Sequence, residues 1–189
     1  MDAHLDAGDA VLLKVGTGAP SVRLERLKLA GQLVVNGGDV TISNCEFASA
    51  ARRRRLQGEE APRALRVSNG TVALEGVVFD QLSGGAIMVD GGWLTVTHSA
   101  LRRNSATKGG AMLVTGGDVR IADSVLESNV ASESGGALFV AGGHVVLGNQ
   151  TSLRGNTAPK SNGKAIYSTV DLACASTHTL PPTCAPTSY

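Results

Sequence analysis

The chain has 189 residues, with 17 Lys and Arg against 16 Asp and Glu, so no overall field recruits nucleic acid or an acidic lipid surface. Aromatic residues are only 3% while glycines number 24, a composition of tight turns and slim strands rather than of a helical globule. No run of about 18 apolar residues is present, so no membrane-spanning helix is expected.

The N-terminal residues Met1-Asp2-Ala3-His4-Leu5-Asp6 form neither a basic region nor an apolar stretch, and no secretory signal is expected there. Two locations stay open: intracellular or organellar, or extracellular and cell-surface if the chain is a fragment of a longer secreted one. Asp2, Asp6 and Asp9 read as a charged end.

From there a ladder of apolar pairs begins. Val22-x-Leu24, Val40-x-Ile42, Val72-x-Leu74, Leu94-x-Val96, Val119-x-Ile121 and Val145-x-Leu147 each place two apolar residues two apart, the alternation of a strand with one face buried. A large apolar residue follows each pair in nearly constant phase: Leu29, Phe47, Phe79, Leu101, Leu126 and Leu153. A companion strand precedes each pair, at 11–13, 33–35, 65–67, 87–89, 112–114 and 138–140, with a further one from Ile166. Corners between companion and anchor carry turn residues, such as Asn36-Gly37-Gly38, Ser68-Asn69-Gly70 and Asp90-Gly91-Gly92. Glycine there supplies positive φ.

Residues 84 to 140 state the repeat openly. Gly84-Gly85-Ala86-Ile87 returns as Gly109-Gly110-Ala111-Met112 and as Gly135-Gly136-Ala137-Leu138, while Leu101, Leu126 and Leu153 are each followed at the third place by Asn104, Asn129 and Asn156. A period of about 25 residues signals a solenoid. Each strand then pairs with its equivalent one coil later, about 4.8 Å away. The expected fold is all-β, a single-stranded right-handed parallel β-helix of six to seven coils with pectate-lyase-like architecture. It covers 1–172, and 173–189 form an irregular tail or cap. Stacked asparagines are expected to bridge the backbone of neighbouring coils. The coil between Val40 and Val72 holds the main insertion, residues 48–60, and is expected to expose it.

The Gly-Gly-Ala-aliphatic and Leu-x-x-Asn motifs resemble the repeats of chlamydial polymorphic outer membrane proteins and related right-handed β-helix proteins, over roughly residues 22–168. Leucine stands here where that family usually has phenylalanine before the asparagine. The resemblance implies the same fold and an adhesion role.

Chemistry-bearing residues are sparse. Asp39 and Asp118 occupy one corner column but are three coils apart, roughly 14 Å, beyond the roughly 5–9.5 Å that a glycosidase carboxylate pair spans. Asp118 and His144 are expected to be neighbours, with Asp90 near, and read as a solvated corner group rather than a proton-transfer site. His4, His98 and His178 lack ligand partners at useful spacing, so no metal and no cofactor is expected. Arg52, Arg53, Arg54 and Arg55 form the one charge run. It is a weak polyanion-binding candidate, because no aromatic residue interleaves it and Glu59-Glu60 follow. Asn69-Gly70-Thr71 and Asn149-Gln150-Thr151 match the glycosylation sequon. Cys174 and Cys184 are placed to close a loop as a disulfide or to remain free thiols, and Cys45 stands alone.

The outward positions of the companion strands are Val34, Arg66, Met88, Leu113, Phe139 and Tyr167. They make an apolar stripe widening toward the C-terminal coils, and such a patch marks a partner surface. The sequence therefore points to a non-catalytic scaffold or protein-interaction module, adhesin-like or an accessory subunit in a larger assembly, with Val34, Met88, Leu113, Phe139 and Tyr167 as partner-binding residues. A carbohydrate-active enzyme of the same architecture is the second reading, and carbohydrate the second ligand class.

Overall fold

The computed structural model describes residues 3–48, 62–159, 163–170 and 172–174. Among them there is no helix, so none is long and apolar enough to cross a membrane. Every strand pairing is parallel. Seventeen strands join in one large sheet, and Ser105–Lys108 pairs with Val130–Ser134 in a small second one. Parallel pairing needs a long connection between partners, and here that connection is one circuit of the chain. The sheet curls around a core, a β-solenoid-like arrangement.

The strands fall into three rows. The first row stacks 13–15, 33–35, 65–67, Ile87–Val89, Met112–Val114, Leu138–Val140 and Ile166–Ser168. The second stacks Val22–Glu25, 40–43, 71–75, Trp93–Thr97, Asp118–Ala122, His144–Leu147 and Leu172–Cys174. The third runs from 3–6 through 27–30, Glu46–Ala48, Val78–Asp80, Ala100–Arg102 and Val125–Glu127 to Ser152–Arg154. The first companion strand lies two residues later than expected, because Leu13 and Val15, not Val11 and Leu13, are in register with the buried Leu33 and Val35.

Alternation fills the interior. Leu94 and Val96, Val119 and Ile121, Ile87 and Val89, and Met112 and Val114 are all buried, each burial stabilising by about 1.5–3 kcal/mol. Phe47 and Phe79 stack face to face in the third row, with ring centroids 4.5 Å apart.

In later coils the corner after the third row is polar and equally buried. Asn104 and Asn129 are fully enclosed and Asn156 is 7% exposed. The Asn104 backbone N–H and side-chain Nδ2 both donate to Asn129 Oδ1 at 3.0 Å, and Asn129 repeats the pattern onto Asn156 Oδ1 at 3.0 Å. Each Nδ2 also donates to a carbonyl of the preceding coil, at Phe79, Leu101 and Leu126. The ladder thus satisfies backbone groups that a buried turn would strand.

Glycine is required where coils touch through their backbones. A Cβ on Gly110 would lie 2.4 Å from the Gly136 carbonyl oxygen, and one on Gly117 would lie 2.6 Å from that of Gly92. Between the second and third rows the corner is different. Arg26, Asn44, His98 and Asp123 turn there with φ between 49° and 54°, and Gly76 makes the turn in one coil, so the left-handed bend is made mostly by ordinary side chains.

Candidate functional site

The six outward positions of the first row stand side by side in register, Val34 beside Arg66, then Met88, Leu113, Phe139 and Tyr167. Alternation puts them outside because their neighbours, such as Leu65 and Val67, or Ile87 and Val89, are inside. Their environments differ. Val34, Met88, Leu113 and Tyr167 are half-buried and Arg66 is exposed. Phe139 is only 9% exposed, because Tyr167 stacks on its ring at 5.1 Å and the Lys108 ammonium lies 5.3 Å from its centroid. The chain itself therefore covers Phe139, while Val34, Met88, Leu113 and Tyr167 stay partly accessible, Met88 and Leu113 side by side at the centre of the stripe.

Those two side chains line a groove of about 650 Å³, together with Gln32, Pro62, Arg63, Arg66, Gly84, Thr107, Lys108 and Glu133. Its origin is a change in coil length. From Asn104 to Ala111 the chain has room for the strand Ser105–Lys108, whereas from Leu82 to Ala86 it has none. The first bond of a pairing forms, from the Ser105 N–H to the Leu82 carbonyl at 2.8 Å, and then the shorter coil turns away. A notch opens on that side of Ser105–Lys108.

Arg63 fills the inner part of the notch. It is 8% exposed, its Nη1 donates to the carbonyls of Ile87 at 3.2 Å and Gly109 at 2.8 Å, and its Nη2 donates to that of Lys108. Gly85 must lack a side chain to admit it, since a Cβ there would meet Nη1 at 2.4 Å. Gln32 Nε2 in turn donates to the Arg63 carbonyl at 3.1 Å. One guanidinium thus serves carbonyls that a further strand would otherwise have bonded. Nothing in the sequence singled out Arg63, because its role depends on a coil ending more than twenty positions later.

Around the rim, charges are paired. Arg66 donates to Asp90 Oδ2 from Nε at 3.1 Å and from Nη2 at 2.5 Å, and Lys108 lies 3.5 Å from Glu133. Asp90 is thus engaged by Arg66, while Asp118 faces His144. Those two are register neighbours, 4.0 Å apart and well exposed. Three register steps separate Asp39 from Asp118, through Thr71 and Trp93. On the third row, Arg103 donates two hydrogen bonds to Asp80, and Arg102 lies 3.7 Å away. The Arg103 bonds hold the Asp80 carboxyl below the usual carboxylate range, against a smaller opposing effect of burial.

Cys45 is a core residue. Its thiol donates to the Ser43 carbonyl at 3.3 Å and accepts the Leu27 N–H at 3.4 Å, the place that the Ser99 and Ser124 hydroxyls take in later coils. Burial pushes this thiol's pKa up. Among the described residues no group of three His, Cys, Asp or Glu is placed to hold a metal ion. His98 sits at an exposed corner, and Asn69 and Asn149 are exposed. Arg52, Arg53, Arg54, Arg55, Asp2, His178 and Cys184 lie outside the described residues, as do the side chains of His4, Asp6, Asp9 and Cys174.

No family model, curated protein or solved structure matches the chain.

Proposed function

We propose that this chain is a non-catalytic interaction module, a right-handed parallel β-helix of six to seven coils that acts as a rigid spacer and docks a protein partner through the outer face of its first strand row. The observation carrying this reading is the groove, whose accessible apolar side chains, Met88 and Leu113, lie in adjacent coils between paired charges. An apolar centre with a polar, ion-paired rim is the anatomy of a protein interface. The three rows of strands support the β-helix, and the Gly-Gly-Ala and Leu-x-x-Asn repeats support a kinship in architecture with the chlamydial outer membrane protein repeats and an adhesin-like or accessory-subunit role.

Docking is favoured over glycan cleavage by the groove's chemistry. Glycoside hydrolysis works through two carboxylates facing one bond, whereas the carboxylate lining this groove, Glu133, is turned to Lys108.

The test is retention of partner proteins from a lysate by the immobilised chain and by its Leu113→Glu variant. Covering one such aliphatic side chain contributes about 1.5–3 kcal/mol, so the variant should lose at least tenfold in affinity while its thermal unfolding is unchanged. Equal retention by both proteins, or no specific retention by either, contradicts the proposal.

A further inference from the structure

We propose that Asn69 is a site of spontaneous covalent change, in which its side-chain amide condenses with the Gly70 backbone nitrogen to a succinimide that opens to aspartate and isoaspartate. The Gly70 N–H donates to Asn69 Oδ1 at 2.8 Å, so the side-chain carbonyl carbon is folded back beside the nitrogen that must attack it. Gly70 carries no Cβ to shield that nitrogen, and Asn69 is exposed to water and hydroxide.

The chain provides its own comparison. Asn36-Gly37 is the same dipeptide one coil earlier, and Asn36 is the register partner of Asn69. There the asparagine is half-buried, the glycine is buried, and no such side-chain contact forms among the described residues.

The step balances without any oxidant. Hydroxide takes the Gly70 amide proton, the nitrogen bonds to Asn69 Cγ, and the Cγ–Nδ2 bond breaks as Nδ2 gains a proton from water and leaves as ammonia. Water then opens the ring. Cleavage of the Cγ–N bond gives aspartate; cleavage at the backbone carbonyl carbon gives isoaspartate, with the main chain rerouted through Cβ and Cγ.

The product matters because the corner has no slack. A Cβ on Gly92 would lie 2.9 Å from the Asn69 carbonyl carbon, and one on Gly70 would lie 2.3 Å from the Gly38 oxygen. An extra backbone atom at position 69 displaces the corner that follows Arg66 and Val67, and both products add a negative charge there.

The full chain, produced in a host that does not N-glycosylate, is incubated above neutral pH both folded and in urea. Peptides are mapped by mass spectrometry for the one-dalton gain and for isoaspartate, with Asn69→Gln as the assignment control. In the folded protein Asn69 should convert several-fold faster than Asn36, and in urea the two rates should converge. Equal or slower conversion of Asn69 in the folded protein, or none while the unfolded chain converts, overturns the proposal.

Discussion

In the coil that ends at Leu82 the interior corner after the third row is apolar, with Leu82 following the stacked Phe79, whereas in the next three coils the same position is Asn104, Asn129 and Asn156. Both solutions are buried, and they join directly, since the Leu82 N–H donates to Asn104 Oδ1 at 3.0 Å. The difference shows that the corner needs a filler for its volume and an acceptor for the N–H of the coil before. Leucine supplies the first and asparagine supplies both. An apolar filler tolerates imperfection gradually, whereas a buried polar ladder depends on every member.

Breaking the ladder at its centre should have the largest effect. Asn129→Ala takes Oδ1 away from both the Asn104 N–H and the Asn104 Nδ2. With each stranded group costing about 1–3 kcal/mol, a loss of about 3 kcal/mol or more is expected. Thermal unfolding followed by circular dichroism should then show Tm falling by roughly 6–12 °C. In the coil with the apolar corner, Phe79→Leu should cost less, about 1–2 kcal/mol, because Leu101 and Leu126 already occupy that row position. If the two variants lost equal stability, the distinction between the two kinds of corner would fail.

A smaller, pH-dependent effect is expected at Asp80. Its carboxyl is held low chiefly by the Arg103 bonds, so its stabilising contribution is fully present above the ordinary carboxylate pKa of about 3.9 and is lost as pH falls through the lower folded value. Wild type and Asp80→Asn should therefore differ in urea midpoint near neutrality and converge in acid. Divergence on acidification would show the pairing to be misread. Cys45→Ser should do least, under about 1 kcal/mol, since serine holds the equivalent place at Ser99 and Ser124.

The same contrast explains what could be read in the amino-acid sequence. Strand positions were legible because Val-x-Leu alternation is a local signal, and the asparagine column was legible because Leu-x-x-Asn recurs in phase. Corners such as Arg26 and His98 were not, because their left-handed backbone is set by stacking against neighbouring coils and opposes the residues' own preference. Arg63 and the cover over Phe139 were hidden for a related reason: each depends on the relative lengths of successive coils, seen only when the coils are superposed. The pairing of Asp90 with Arg66 was hidden too, since Arg66 reaches it from the preceding coil.

The docking claim is tested most directly by hydroxyl-radical footprinting of the chain alone and with its retained partner. Met88 lines the groove and Trp93, 62% exposed on the second row, is a reactive side chain on another face. The partner should protect Met88 and leave Trp93 unchanged. Protection of Trp93 with Met88 unaffected, or no protection of Met88, would contradict it.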